Sequence, residues 1–258
     1  MGALPLGSRA ALVTGVSRRA GIGFAIAKRL ASLGADLALH AFAPYDAGRP
    51  WGADADGPEA LAAELRASGV RVETLAGDLA EPATPARVVA DARARLGRLD
   101  VVVLNHARGV DGDLEALTAA EIDAHFAVNV RASLLIAKEF AARHDGRAGG
   151  RLVLLSSGQG RTPMPGELAY AASKGALEAL VPSLAAHLAH RGITVNAVNP
   201  GPTDTGWASP GVYREVLERA PQGRWGHPDD AARLVAWLAT DDARWVTGQI
   251  IHSTGGWP

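Results

Sequence analysis

Residues Ala10-Ala-Leu-Val-Thr14-Gly15-Val-Ser17-Arg18-Arg19-Ala-Gly21-Ile22-Gly23 decide the fold. Ala10–Thr14 is a short, uncharged, mostly apolar run bounded by a glycine, the pattern of a buried strand. From Phe24 to Leu33 the apolar residues return at helical spacing. Strand, glycine turn and helix together are the context that a dinucleotide-binding fingerprint requires. Gly15 permits the tight turn, Gly21 lets backbone approach a pyrophosphate, and Gly23 lets the helix pack on the strand. Phosphates would then meet the helix N-terminus, where unpaired N–H groups and the dipole favour anions.

Working outward, apolar strands alternate with helical patterns along the whole chain, which predicts a parallel sheet covered on both faces. Strands are expected near Ala10–Thr14, Asp36–Ala41, Val70–Leu75, Asp100–Asn105, Arg151–Ser156, Thr194–Asn199 and Gln249–His252. Helices are expected near Gly21–Ser32, Pro58–Ala67, Pro85–Leu96, Ala119–Phe126 continuing into Asn129–Ala142, Tyr170–Ala189 and Asp229–Ala239. Thr84 reads as an N-cap before an N1 proline, and Thr118-Ala-Ala-Glu121 as a capping box. Right-handed crossovers then give a Rossmann-type, doubly wound α/β fold: a seven-stranded parallel sheet in three layers, with its ligand crevice at the strand C-termini. Residues 1–258 form a single domain, without repeat or linker. Two segments are long and irregular, 42–57 and 202–228. Long loops in compact domains are functional or mobile; for the first, a plain surface insertion is an equal alternative.

Chemistry enters with Tyr170-Ala-Ala-Ser-Lys174, preceded by Ser157. Tyr170 and Lys174 at i and i+4 project from one helix face. An ammonium held there favours the phenolate; free tyrosine titrates near ~10, so neutral-pH work needs a drop of roughly 3 units, about 4 kcal/mol.

Together these motifs resemble the short-chain dehydrogenase/reductase family over nearly the whole chain. The family pattern of Thr-Gly-rich loop, Asn, Ser, Tyr-x-x-x-Lys and Pro-Gly is met by Thr14/Gly15/Gly21/Gly23, Asn129, Ser157, Tyr170/Lys174 and Pro200/Gly201. The wording of the glycine loop, of Gly166–Tyr170 and of Asn199–Trp207 looks like a bacterial subgroup labelled 3-oxoacyl-[acyl-carrier-protein] reductase. The resemblance implies an NAD(P)-dependent oxidoreductase of ketones and secondary alcohols. Tyr170 would be the acid/base, Ser157 would position the carbonyl, and Lys174 would hold the nicotinamide ribose and acidify Tyr170. Asn129 would anchor a water leading from Lys174 to solvent. The coenzyme would also meet Ser17, Ile22, Asp78, Leu79, Asn105, Ala107, Thr203 and Thr205. Asn105-His-Ala-Arg108 departs from the family's Asn-Asn-Ala-Gly at His106 and Arg108. Residues 202–228 fall where the family carries a substrate lid, and Gln159, Met164, Glu167 and Trp207 are candidates for the substrate pocket. Glu167 would prefer a cationic or hydroxylated substrate, or else faces solvent. The substrate would be a small carbonyl or alcohol compound, carrier-bound or free.

Coenzyme choice turns on the end of the second strand, where an NAD enzyme places a carboxylate on the ribose. Ala41 stands there, and Arg18 and Arg19 lie within the glycine loop, where a guanidinium pairs well with a phosphate. NADP(H) is the expectation, with NAD(H) as the alternative. Competing readings are an alcohol dehydrogenase, a tailoring reductase of specialised metabolism, and a catalytically silent NADP-binding sensor. An enoyl reductase fits less well, since that branch places six residues between Tyr and Lys.

Composition excludes other classes. Lys+Arg 26 against Asp+Glu 27 leaves no basic field for nucleic acid. The absence of cysteine removes thiol nucleophiles and thiolate metal sites. Met1-Gly-Ala-Leu-Pro-Leu6 lacks the basic and apolar regions of a signal peptide, and no run reaches the ~18 apolar residues of a membrane span. A cytoplasmic protein is expected. His187 and His190 read as solvated helix surface, and no metal is expected. Homo-oligomerisation, as a dimer or tetramer, is implied by the resemblance, with the Tyr170–Ala189 helix and the apolar C-terminus as interfaces.

Overall fold

The computed structural model describes residues 4–257; residues 1–3, which belong to the N-terminal reading above, and residue 258 lie outside the description. Five strands come first along the chain: β1 (Ala10–Thr14), β2 (Asp36–Ala41), β3 (Val72–Ala76), β4 (Val101–Leu104) and β5 (Gly150–Leu155). β6 (Ile193–Asn199) and β7 (Ile250–His252) complete one seven-stranded sheet in the order β3-β2-β1-β4-β5-β6-β7, every pair parallel. The order reverses between β1 and β4, so the chain makes its topological switch beside the glycine loop, where a ligand crevice opens in such sheets.

Because strand side chains alternate between faces, the two halves of the core are built from alternate residues of the same strands. Ala11, Val13, Val101, Val103, Val153 and Leu155 face one layer, made by α1 (Ile22–Ser32), α3 (Gly57–Arg66) and α9 (Pro228–Ala239). Ala10, Leu12, Val102, Leu104, Leu152 and Leu154 face the other, made by α4 (Thr84–Leu96), α6 (Ala132–Arg143) and α7 (Leu168–Leu188). At the bottom of the sheet, buried Asp100 accepts from the Ala10 N–H at 2.9 Å and from Arg98, locking the start of β1 to that of β4.

Helix entries differ in detail from the sequence reading. Thr84 does not cap α4: the turn from Glu81 already carries the chain into helical geometry at Ala83, so Thr84 is the first helical residue. Thr118 does cap α5 (Ala119–His125), accepting from the Glu121 N–H at 3.2 Å, but the Glu121 carboxylate is engaged by Arg108 rather than returning to the cap. Between α5 and α6 the chain makes a π-helical turn, Phe126–Arg131, which carries Asn129. The two irregular segments each hold a helix, α2 (Ala43–Ala47) and α8 (Pro210–Arg219). Among the described residues no helix is long and apolar enough to cross a membrane.

Candidate active site

A cavity of about 1130 Å³ runs along the C-terminal ends of the strands, from Asp78 and Leu79 at one end to Met164 and Trp257 at the other. Gly15 lies in the left-handed region at φ 72°, and a Cβ there would stand 2.9 Å from the His106 Cα. A Cβ on Gly23 would stand 2.5 Å from the Gly15 carbonyl oxygen, so the helix can approach the turn only as glycine. Gly21 is the N-cap of α1 and no side chain caps it, leaving the first N–H groups open to a ligand. Asn105 Nδ2 donates to the carbonyls of Thr14 and Gly15, both at 3.0 Å, and fixes the loop to β4. On the same wall His40, 1% exposed, gives Nε2 to the Gly77 carbonyl at 2.9 Å and keeps a buried Nδ1 without a partner. An uncapped helix start over a close glycine turn, with a buried acceptor beside it, fits a nucleotide with a pyrophosphate.

Ser17, Arg18, Ile22, Asp78, Leu79, Asn105, Ala107, Pro200, Gly201, Thr203 and Thr205 all line this cavity. Arg19 does not join them. Its guanidinium is held outward by Asp56 at 3.0 Å and Glu64 at 3.1 Å, and its N–H by Asp54 at 2.7 Å. Of the two arginines offered by the sequence, only Arg18 reaches the cavity. It donates to the Thr205 carbonyl at 2.8 Å and lies 5.8 Å from the Trp51 ring.

Segment 42–57 is a wall of the cavity rather than a surface insertion. The Tyr45 hydroxyl accepts from the Gly109 N–H at 2.9 Å and donates to the Gly109 carbonyl at 3.1 Å. Arg49 donates to the same carbonyl and to Tyr45. Asp46 accepts from Ser17 Oγ and, at 3.0 Å, from Trp51 Nε1. The strap therefore ties the end of β2 to the glycine loop and to the loop after β4. A long segment with aromatics among Gly and Pro was the only sequence signal of it.

Ser157, Gln159, Met164, Glu167 and Tyr170 share the opposite end with Trp207. Ser157 is hydrogen-bonded to the Tyr170 hydroxyl. Lys174, buried beneath, donates to the Leu155 carbonyl at 2.8 Å, with Nζ 5.6 Å from the Tyr170 ring centroid. The electrostatics differ from the expectation that Lys174 acidifies Tyr170. Burial pushes the phenol above its ordinary range, the Ser157 hydrogen bond opposes this, and Glu167 and Tyr45 add to it. Burial likewise pushes Lys174 down to about 8, against the pull of Glu178. With both groups taken out of water, desolvation is the largest cause of each shift.

Asn129 is fully buried and its side-chain donors have protein partners. Nδ2 donates to the Arg108 carbonyl at 2.9 Å and to Ser173 Oγ at 2.8 Å, and Oδ1 accepts from the Arg108 N–H at 2.7 Å. Ser173 Oγ passes the bond on to the Tyr170 carbonyl at 2.8 Å, so the π turn braces the first turn of α7. His125, unremarked in the sequence, stands edge-on to Tyr170 at 6.5 Å and accepts from the Val110 N–H at 3.1 Å. His106 joins Thr14 Oγ1 at 2.7 Å to the Val128 carbonyl at 3.1 Å; Nε2 must donate to that carbonyl, which leaves Nδ1 to accept from the threonine. Its departure from the family's asparagine thus links the glycine loop to the π turn. Arg108 is held by both oxygens of Glu121 at 2.9 Å.

Segment 202–228 closes at its neck, where the Gly226 N–H donates to the Pro202 carbonyl at 3.0 Å and the Asp204 N–H to the Gly226 carbonyl at 2.9 Å. Inside it Trp225 stacks on Tyr213 at 5.0 Å and meets Trp207 edge-on at 6.0 Å.

Fold and cavity define a nicotinamide-type oxidoreductase architecture, and comparison with known proteins gives the family. A family model described as "Enoyl-(Acyl carrier protein) reductase" matches residues 15–258. An uncharacterised oxidoreductase of Bacillus subtilis is 42% identical over 95% of each chain. An NADPH-dependent aldehyde reductase-like chloroplast protein of Arabidopsis thaliana is 37% identical over 98% of this chain and 96% of its own. The crystal structure of a blue fluorescent protein from a metagenomic library, in complex with NADPH, superposes with a TM-score of 0.86 at 35% identity, covering 98% of each chain. The chain belongs to the short-chain dehydrogenase/reductase family, and it is an oxidoreductase of CH–OH and C=O groups.

Proposed function

We propose that this protein reduces a ketone to a secondary alcohol with NADP(H), acting on 3-oxoacyl-type or related carbonyl compounds. The observation that carries the reading is the Ser157–Tyr170 hydroxyl pair on the wall of the cavity that the glycine loop also lines. When bound, the coenzyme supplies the hydride to the carbonyl carbon. Tyr170, kept protonated by burial, gives its proton to the developing alkoxide oxygen, and Ser157 holds that oxygen in line. Lys174 sits below as the cation that steadies the phenolate left behind. Asn129 and Ser173 fix the turn that presents Tyr170. The 202–228 lid carries Trp207 against the substrate and excludes water.

Preference for NADP(H) is supported by Ala41 in place of an acid, by Arg18 in the cavity, and by the NADPH held by the metagenomic relative. Asp46 also lines the cavity, but both its oxygens are engaged, by Ser17 and Trp51. Three residues between Tyr170 and Lys174 favour carbonyl over enoyl reduction. Association into a homo-oligomer belongs to the same reading.

Coenzyme oxidation followed at 340 nm over a set of ketones tests it. Wild type should turn over at least one ketone faster with NADPH than with NADH. Tyr170→Phe should lose about 10²–10⁴-fold in kcat, the usual weight of a positioned acid, while binding NADPH normally. Wild type that binds NADPH and reduces no carbonyl would favour a sensor instead.

A further inference from the structure

Resting on the reductase reading, a second question is what stands next to the reacting carbonyl. Glu167 lies one helical turn before Tyr170, close enough for its charge to act on the phenol. Its carboxylate is half-buried and accepts from Gln159 Nε2 at 3.0 Å. A carboxylate can only accept, so the amide nitrogen faces Glu167 and the amide oxygen is turned the other way. That oxygen, Gln159 Oε1, is closed off from solvent and has no partner. Asp111, across the cavity end, adds a second carboxylate whose charge acts on Glu167.

Three of the long donors at this end are already engaged. Trp207 Nε1 donates to the Thr203 carbonyl at 3.1 Å, and Arg49 is bound to Tyr45 and Gly109. Arg219 pairs with Glu215 at 3.3 Å and lies over the Trp257 ring at 5.1 Å. The patch made by Glu167, Gln159 and Asp111 is therefore rich in acceptors. Sheltered acceptors left unpaired are costly, so such a patch recognises a ligand that brings donors and rejects one that brings acceptors or negative charge.

We propose that Glu167, Gln159 and Asp111 form a specificity face that selects carbonyl substrates carrying a hydroxyl or ammonium group on a carbon near the reacting carbonyl. Anionic oxo acids are excluded by the same face. Glu167 is the residue that determines this choice, through its own carboxylate and through its grip on the Gln159 amide.

Four phenyl ketones of one skeleton test it with NADPH: α-hydroxyacetophenone, α-aminoacetophenone, propiophenone and phenylglyoxylate. In wild type, kcat/KM for the hydroxyl and ammonium compounds should exceed that for propiophenone by about tenfold or more, the weight of one hydrogen bond to a charged group. Phenylglyoxylate should be the poorest. In Glu167→Gln the ammonium-to-propiophenone ratio should fall by about tenfold, mostly through KM, and phenylglyoxylate should improve. Asp111→Asn, a surface change, should lower the ammonium preference and leave the hydroxyl preference in place. Equal kcat/KM for propiophenone and the donor-bearing ketones, or a ratio that neither variant moves, would overturn the specificity face and leave the reductase standing. No turnover of any of the four, or of any other ketone, would sink the reductase reading and this inference with it.

Discussion

At the scale of single residues, the proposed roles of Lys174 and Tyr170 predict the pH behaviour. Lys174 is pushed down to about 8, so it is an ammonium below that pH and a neutral amine above it. Tyr170 is pushed upward and stays a phenol throughout the neutral and mildly alkaline range. Carbonyl reduction needs a phenol whose conjugate base is steadied by a cation, so it runs with full efficiency only while Lys174 is charged. The expected pH profile of kcat/KM for reduction is flat through neutrality and falls as pH rises through about 8. Alcohol oxidation, which needs the phenolate, should instead gain with pH. Lys174→Met should lower the reductive rate and abolish the break near 8; a break that survives in this variant would assign it to another group. The roles proposed for Tyr170, Ser157 and Lys174 were suggested by the motif in the sequence. The burial that inverts the expected tyrosine shift does not, because desolvation depends on strands and loops distant in the chain.

At the scale of elements, the loop after β4 is fixed by groups from four other elements. Asn129 holds both backbone groups of Arg108, Tyr45 both of Gly109, His125 the N–H of Val110, and Gly166 and Leu168 pair with Gly112. Gly109 in turn packs on the Tyr170 ring, where a Cβ would stand 3.7 Å from its edge. Tyr45→Phe should free the Gly109 N–H and weaken its carbonyl's bonding, costing about 1–3 kcal/mol locally. The expected result is faster amide exchange across 108–112 and a raised KM for coenzyme, with the global melting point little changed. Unchanged exchange there would show that the strap is not a support for this loop. The strands and main helices were legible because period-2 and period-3.6 patterns are local. The strap and the π turn were not. The strap's partners lie far off in the sequence, and a π turn needs one backbone bond shifted by tertiary contacts, here those of Asn129 with Arg108 and Ser173.

At the scale of the whole molecule, the sheet was readable end to end, since each βα unit repeats one pattern and crossover handedness leaves one arrangement. Two histidines buried against that sheet carry a consequence for stability that only the structure makes visible. His40, in β2, is pushed down to about 4 by burial, with Arg87 adding to the effect and Gly77 and Asp78 opposing it. His106, after β4, is pushed down to about 3 by burial, with His40 and Lys174 adding and the Val128 carbonyl opposing. Both are neutral in the folded protein at any pH near neutrality, whereas in the unfolded chain they titrate near 6.5. Between 6.5 and about 4 the unfolded state therefore binds more protons than the native one, and stability falls as pH falls. The stabilisation is fully present above 6.5, and its loss approaches several kcal/mol at about 1.4 kcal/mol per tenfold change in proton affinity. His144, lowered more weakly by burial, acts with the same sign. Carboxylates depressed by ion pairs, such as Asp56 and Asp230, keep their contribution throughout this window and lose it only as pH falls through the usual carboxylate range and below. Urea unfolding at pH 7, 6 and 5 should show a steady decline over a window that the carboxylates barely touch. His106→Asn keeps a donor and acceptor toward Thr14 and Val128 but removes the titration. It should flatten that slope, and a slope equal to wild type would place the acid sensitivity elsewhere in the molecule.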